Sequence, residues 1–126
     1  MQAGDIKAYP QGIAVTFNVD SAVVQTIQPN DAVVLTDNLE VGFAEQAEAP
    51  ILGVALTEGP AGELVDVLLT GSTWAEYTGP APAITSQRNA LSSSDTPGKV
   101  QRDEFGGGAG VVLSVDEANN IVHFHI

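Results

Sequence analysis

Apolar and polar residues alternate along most of this chain, and β-branched residues are prominent at the apolar positions. Between Gly12 and Val19, for example, every second residue after Gly12 is apolar: Ile13, Val15, Phe17 and Val19. This period of two is typical of strands, because successive side chains of a strand point to opposite faces of its sheet. The pattern predicts strands at residues 12–19, 23–27, 32–36, 39–43, 51–57, 64–70, 111–115 and 121–125.

Two pairs of these strands are joined by clear turn sequences. Residues 58–63 contain two glycines and a proline and connect residues 51–57 to residues 64–70. Residues 116–120 form a short polar loop before the last strand. Turn residues between two apolar runs predict hairpins at both places. Many short strands separated by frequent turns predict an all-β fold, either a small barrel or a sandwich-like domain.

The chain of 126 residues is expected to form one domain. We place a single β domain at residues 12–126, with a Pro/Gly-rich, loop-rich segment at residues 77–110, because proline cannot donate to a strand ladder. Residues 1–11 show no strand pattern and are predicted to be an extended N-terminal arm. Such an arm is either disordered or ordered by a partner.

The charge of the chain excludes several classes of partner. Sixteen acidic residues oppose four basic ones, for a net charge of −12. Phosphate backbones are bound by Lys and Arg, so nucleic acid and anionic lipid should be repelled. There is no apolar run of membrane-spanning length and no apolar core of a signal peptide at the N-terminus. We therefore expect synthesis in the cytoplasm, without nucleic acid or membrane as partner.

Residues that could carry chemistry are sparse. No cysteine is present, which excludes disulfides and zinc–thiolate sites. His123 and His125 share one strand face and could bind a metal with an added acid, but a half-solvated strand face explains them better. No nucleophile-elbow motif occurs, and residues 106–110 lack the Lys-Ser/Thr of a P-loop. We predict that the protein is not an enzyme and has no catalytic residues, no metal and no cofactor.

Two aromatic residues beside the loop-rich segment have two interpretations. Trp74 and Tyr77 either anchor an interface or cap the core of the domain. We take them as candidates for contacts between copies of the chain.

The segment from residue 27 to residue 71 contains IQPNDAVVLTDN and then ILGVALTEGPAGELVDVLLTG. In order, these residues form a turn that contains Asp, an apolar strand, the sequence GVAL, a second turn, and a strand with the pattern GE-V-V-L-G. This pattern resembles a family of small phage proteins, the capsid decoration or cement proteins. Some members carry an older recombinase-like label, which would require a P-loop and basic DNA contacts that this sequence lacks. The C-terminal GVVLSVDEANNIVHFHI is compatible with the family.

The resemblance implies a compact, β-tulip-like fold and a homotrimer on three-fold positions of a phage capsid. It implies binding to the major capsid protein on the outer surface of the virion, where the protein would stabilise the expanded shell, and no catalysis. The N-terminal arm would order on binding, which makes Ile6, Tyr9 and Pro10 the expected capsid contacts, with Trp74 and Tyr77 between copies.

Three other functions remain open on the sequence. The chain could be another virion part, such as a tail or spike-base module, with the same β pattern. It could be a binding module, for instance for glycans. It could be a small β-barrel hydrolase or isomerase that uses His123, His125 and an acid.

Overall fold

The computed structural model describes residues 2–126, which contain ten strands and no helix. The strands are β1 (Ile6–Tyr9), β2 (Gly12–Val19), β3 (Ala32–Asp37), β4 (Glu40–Phe43), β5 (Gly53–Ala55), β6 (Leu64–Thr78), β7 (Leu91–Ser93), β8 (Val100–Arg102), β9 (Val111–Asp116) and β10 (Ile121–His125). The all-β class is confirmed. Within the described residues, no helix has the length and apolar character needed to cross a membrane.

Five strands form a closed circuit of pairings. The order is β2, β4, β3, β5 and β6, and β6 pairs back with β2. The β2–β4 pair is parallel and the others are antiparallel. Register shifts interrupt the β2–β6 and β3–β4 pairs, so the circuit is not a regular barrel. It surrounds a core of alternating residues from these strands and the adjoining loop: Phe17, Val19, Ile27, Val33, Val41, Ala55, Val65 and Val67.

The 15-residue strand β6 extends beyond this circuit and joins it to the rest of the domain. After Gly71 it pairs with β10, which pairs with β9, and its end pairs with β8. The short strands β7 and β8 pair with each other. A second core contains residues from β6, β7, β8, β9 and β10, including Tyr77, Leu91, Val100, Val112, Val122 and Phe124.

Gly71 marks the point at which β6 leaves the circuit. It pairs with Gly12 of β2 and has a φ of 141°. A Cβ on Gly71 would lie 2.1 Å from the carbonyl oxygen of Gln11. Both the backbone angle and the close approach therefore require glycine.

Seven of the eight strands predicted from the pattern are present, and both predicted hairpins are confirmed. Val54 pairs with Leu68 in the first hairpin, and Val122 pairs with Val115 in the second. The strand predicted at residues 23–27 is wrong. Val24 is 95% exposed, and only Ile27 forms an isolated bridge, to Gly59.

The N-terminal arm also differs from its expected form. Residues 6–9 form β1, which pairs antiparallel with β2 across the turn at Pro10 and Gln11. The segment is ordered by its pairing with β2 within the chain. The pattern missed it because the alternation is inverted: Ile6 and Ala8 are exposed, whereas the polar-tipped Lys7 and Tyr9 are partly buried.

The loop-rich segment at residues 77–110 contains more order than its composition indicates. Tyr77 and Thr78 complete β6, and β7 and β8 lie within the segment. The apolar pattern does not predict strand β7, because two of its three residues are the buried serines Ser92 and Ser93.

Candidate functional site

The hairpin of β1 and β2 carries an exposed apolar surface. Ile6 is 75% exposed and Ile13 is 48% exposed, and Ala8 is exposed beside them. The register pairs Ala8 with Ile13 and Ile6 with Val15, which places these side chains on one face. We call Ile6, Ala8 and Ile13 the hairpin face.

The hairpin face lies beside an open strand edge. Strand β1 pairs with β2 on one side and with no strand of residues 2–126 on the other. An edge strand has backbone N–H and C=O groups that another chain can pair with. The combination of an open edge and exposed apolar side chains is typical of a protein-binding surface.

The opposite face of the hairpin is fixed by one buried carboxylate. Asp66 of β6 is 1% exposed. Its oxygens accept hydrogen bonds from Lys7 Nζ at 3.1 Å, from the Tyr9 hydroxyl and from Thr16 Oγ1 at 2.7 Å. The backbone N–H of Asp66 donates to Thr57 Oγ1 at 3.0 Å. Two of the three side-chain donors come from β1, so these polar side-chain contacts join β1 to β6, in addition to the backbone pairing of β1 with β2.

The charges of this cluster are mutually stabilised. Burial alone would raise the pKa of the Asp66 carboxyl, but hydrogen bonds from Tyr9, Thr16 and Lys7, with the Lys7 charge, outweigh it and lower the pKa. The hydrogen bond to Asp66, followed by burial, raises the pKa of Tyr9 to about 12. The carboxylate is therefore ionised, and the tyrosine is protonated, over the whole neutral range.

Replacing Tyr9 with Phe should destabilise the protein by about 1.5–3 kcal/mol, because a hydrogen bond to a charged group is lost. Tyr9 has a raised pKa in the folded state, so its contribution is present below pH 10.0 and is lost as the pH rises to about 12. Chemical denaturation of both proteins across this range checks the expectation. A difference in unfolding free energy that stays constant up to pH 12 would contradict it.

The three expected capsid contacts are separated by the fold. Ile6 and Pro10 are exposed, Pro10 at the turn of the hairpin. Tyr9 directs its hydroxyl to Asp66. Its hydroxyl is therefore committed to the inner face, and Ile6 is the residue of the three that presents a large exposed apolar side chain.

The two aromatic residues expected between copies lie on opposite faces of β6. Tyr77 is 5% exposed and packs in the second core, which is the position of a residue that caps the core. Trp74 is 39% exposed on the outer face. Residues an odd number of positions apart on a strand point to opposite faces of its sheet. The side chains of Trp74 and Tyr77 therefore do not lie on the same surface.

Trp74 lies between two grooves on the outer face. The larger has a volume of about 420 Å³ and is lined by Gln11, Asn30, Leu56, Ser72, Thr73, Trp74, Leu113 and His123. The smaller has a volume of about 240 Å³, and its lining includes Asn30, Asp31, Trp74, Glu76 and Lys99. His123 is the register partner of Trp74 on the neighbouring strand β10.

The two histidines share the outer face, as their spacing predicts. Ser114 Oγ lies 3.2 Å from Nδ1 of His123, and Ser72 Oγ lies 3.0 Å from Nδ1 of His125. No group of three potential metal ligands occurs among residues 2–126. Each imidazole therefore has a serine hydroxyl as its hydrogen-bond partner.

Sequence reasoning missed Asp66 and Asn30. Asp66 interrupts the apolar run LVDVLLT, and an acid in a strand that is otherwise apolar is a signal that could have been used. Asn30 was assigned only to a turn. Its contact with Trp74 joins segments 44 residues apart and depends on the topology.

Comparison of the chain with protein-family models, with curated proteins and with solved structures finds no match.

Proposed function

We propose that this protein is a structural virion protein that binds the outer surface of a phage capsid and stabilises the expanded shell by bridging capsid subunits. The observation that carries the proposal is the open β1 edge beside the apolar hairpin face. In a chain with a net charge of −12, this surface offers apolar and backbone contacts with little dependence on charge. The resemblance in residues 27–71 supplies the partner class.

Binding through an edge strand has a clear physical basis. A capsid segment that pairs with β1 would satisfy its free backbone groups, and the pockets around alternate side chains would add specificity. Burial of a large aliphatic side chain such as Ile6, which is 75% exposed, contributes about 1.5–3 kcal/mol. The Asp66 cluster holds β1 in an extended form before binding, which reduces the entropy lost on association.

Stabilisation of the shell follows from linkage. A protein that binds the expanded shell more tightly than the unexpanded one shifts the equilibrium toward expansion. We propose that it does so as a homotrimer at three-fold positions, because three linked copies raise the effective concentration of each contact. The partners are then the major capsid protein and two further copies of the chain, on the outside of the virion.

Replacing Ile6 with Asp should weaken binding to expanded shells at least about tenfold, because it removes apolar burial and adds a charge to the contact. The measurement is co-sedimentation of the protein with expanded shells of the phage that carries the gene. Val24→Asp is the matched control, since Val24 is 95% exposed in the loop between β2 and β3.

Both variants change the net charge equally, so a general charge effect would weaken the capsid binding of both to the same extent. Equal binding of the wild-type protein and Ile6→Asp would contradict the hairpin face as the contact. Deletion of residues 1–11 with unchanged binding would exclude β1 altogether. Binding to tail components in place of shells would support the tail or spike-base alternative.

A further inference from the structure

We propose that the outer face around Trp74 is a binding site for a neutral saccharide. This activity goes beyond capsid binding and uses a different surface from the hairpin face. It would let a capsid-bound protein adhere to a glycan surface outside the virion.

The first observation is an aromatic ring between two grooves. Trp74 is 39% exposed and lines grooves of about 420 Å³ and 240 Å³. The larger groove lies within the range of about 300–1,000 Å³ that small-molecule sites occupy. An exposed indole offers a flat apolar surface, and the C–H faces of sugar rings stack on such surfaces while their hydroxyls stay solvated.

The second observation is the chemistry of the larger groove. Its polar lining consists of uncharged or weakly basic groups: the amides of Gln11 and Asn30, the hydroxyls of Ser72 and Thr73, and the imidazole of His123. Amides and hydroxyls both donate and accept hydrogen bonds, and so do sugar hydroxyls. Leu56 and Leu113 complete the wall with apolar surface.

The third observation is that the groove is held in place before any ligand arrives. Asn30 has a positive φ of 73°, and its backbone N–H donates to the Ala55 carbonyl at 2.8 Å. Its side-chain nitrogen donates to the Trp74 carbonyl at 2.9 Å and to Thr73 Oγ1 at 3.2 Å. These bonds use the amide nitrogen and leave the amide oxygen as an acceptor. A preorganised site loses less entropy on binding.

Charge selects the class of saccharide. The chain carries a net charge of −12. Asp31 and Glu76 line the smaller groove, and Lys99 Nζ lies 2.9 Å from Glu76 Oε2 and neutralises its charge. A uronic or sialic acid would enter a negative field, whereas a neutral sugar would not. The site is therefore assigned to neutral glycans.

A contact between copies of the chain is the competing assignment for this groove, because Leu56, Trp74 and Leu113 give its lining a large apolar surface beside the polar groups. A saccharide platform and a contact between copies exclude each other at Trp74, so the two assignments can be separated by experiment.

Trp74 is the single tryptophan of the chain, so its fluorescence reports directly on this face. The protein is titrated with N-acetylglucosamine trimer, cellotriose, maltotriose and a galactose disaccharide, and with trigalacturonate as the acidic probe. We expect a saturable change in emission with at least one neutral sugar and none with trigalacturonate. The absence of a saturable change with every neutral sugar, or an equal response to trigalacturonate, would overturn the proposal.

The affinity for the responding sugar should fall about tenfold or more in Trp74→Ala, because ring stacking and apolar contact are lost together. Calorimetry measures this, since the variant has no tryptophan. Phe105→Ala is the matched control: Phe105 is an 83% exposed aromatic in the loop between β8 and β9, and its loss should leave the affinity unchanged. His123→Ala should also weaken binding, and it carries the test if Trp74→Ala does not fold.

Two further results separate this site from other assignments. Ile6→Asp should bind the sugar normally, so failure of capsid binding and failure of sugar binding are distinguishable. If Trp74 emission instead changes with protein concentration, and Trp74→Ala dissociates an oligomer, the face is a contact between copies and the saccharide proposal is wrong.

Discussion

Replacement of Asp66 with Ala is expected to destabilise the protein by about 3 kcal/mol or more, because several hydrogen bonds to one charged acceptor, each worth about 1.5–3 kcal/mol, are lost together. Lys7, Tyr9 and Thr16 would lose their common acceptor within a partly buried cluster. Strand β1 would lose both of its polar contacts, so its amides should exchange with solvent faster than those of β2. Chemical denaturation and hydrogen exchange measure the two effects.

The stability supplied by Asp66 should depend on pH with a definite sign. Its pKa in the folded state lies below the ordinary value of 3.8, so the contribution is present above this value and is lost as the pH falls below it. The difference in unfolding free energy between the wild-type protein and Asp66→Ala should shrink in acid. Glu63→Ala is the control, since Glu63 is an exposed acid two residues before the first buried position of β6. If Asp66→Ala changes the unfolding free energy no more than Glu63→Ala does, the stabilising role of the Asp66 cluster is wrong.

Replacement of Gly71 with Ala is expected to destabilise the protein by about 3 kcal/mol or more, from backbone strain and overpacking together. The new Cβ would lie 2.1 Å from the carbonyl oxygen of Gln11, and the φ of 141° is unfavourable for alanine. The atom in the way belongs to the backbone, so β2 and β6 would have to separate. The midpoint and slope of denaturant unfolding give the loss.

Gly62→Ala separates the two causes. Gly62 has a φ of 76°, but a Cβ there would have no atom within 4 Å. The expected loss is about 1–2 kcal/mol, for the left-handed backbone alone. Equal losses at the two glycines would show that the contact between β2 and β6 adds nothing.

The elements that could be predicted from the sequence are those in which burial follows the apolar pattern. Strand β2 matches its predicted bounds because the alternation covers its whole length, and Phe17 and Val19 of that series enter one core, although Ile13 of the same series is exposed and Thr16 is buried. Strand β1 was missed because its apolar residues point outward and Lys7 and Tyr9 point to a buried acid. Buried serines hid β7 in the same way. A polar residue that is buried with a hydrogen-bond partner does not follow the alternation of apolar and polar positions. Its partner is distant in sequence, so the local sequence does not reveal the pair.

The surfaces were predictable only in part. Ile6 was selected from the sequence and is exposed on an edge strand. Trp74 and Tyr77 are both large aromatic residues beside the loop-rich segment, which makes them joint candidates on the sequence, but strand geometry places them on opposite faces. The groove beside Trp74 combines residues from six segments of the chain, among them Gln11, Asn30 and Leu113. Only the fold brings these segments together.

We propose that the protein binds a phage capsid and favours its expanded state. Co-sedimentation with expanded and with unexpanded shells of the same phage, at equal protein concentration, tests this most directly. We expect the protein to pellet with expanded shells, to saturate at one trimer per three-fold position, and to stay in the supernatant with unexpanded shells. Protein that remains in the supernatant with both kinds of shell would contradict the proposal.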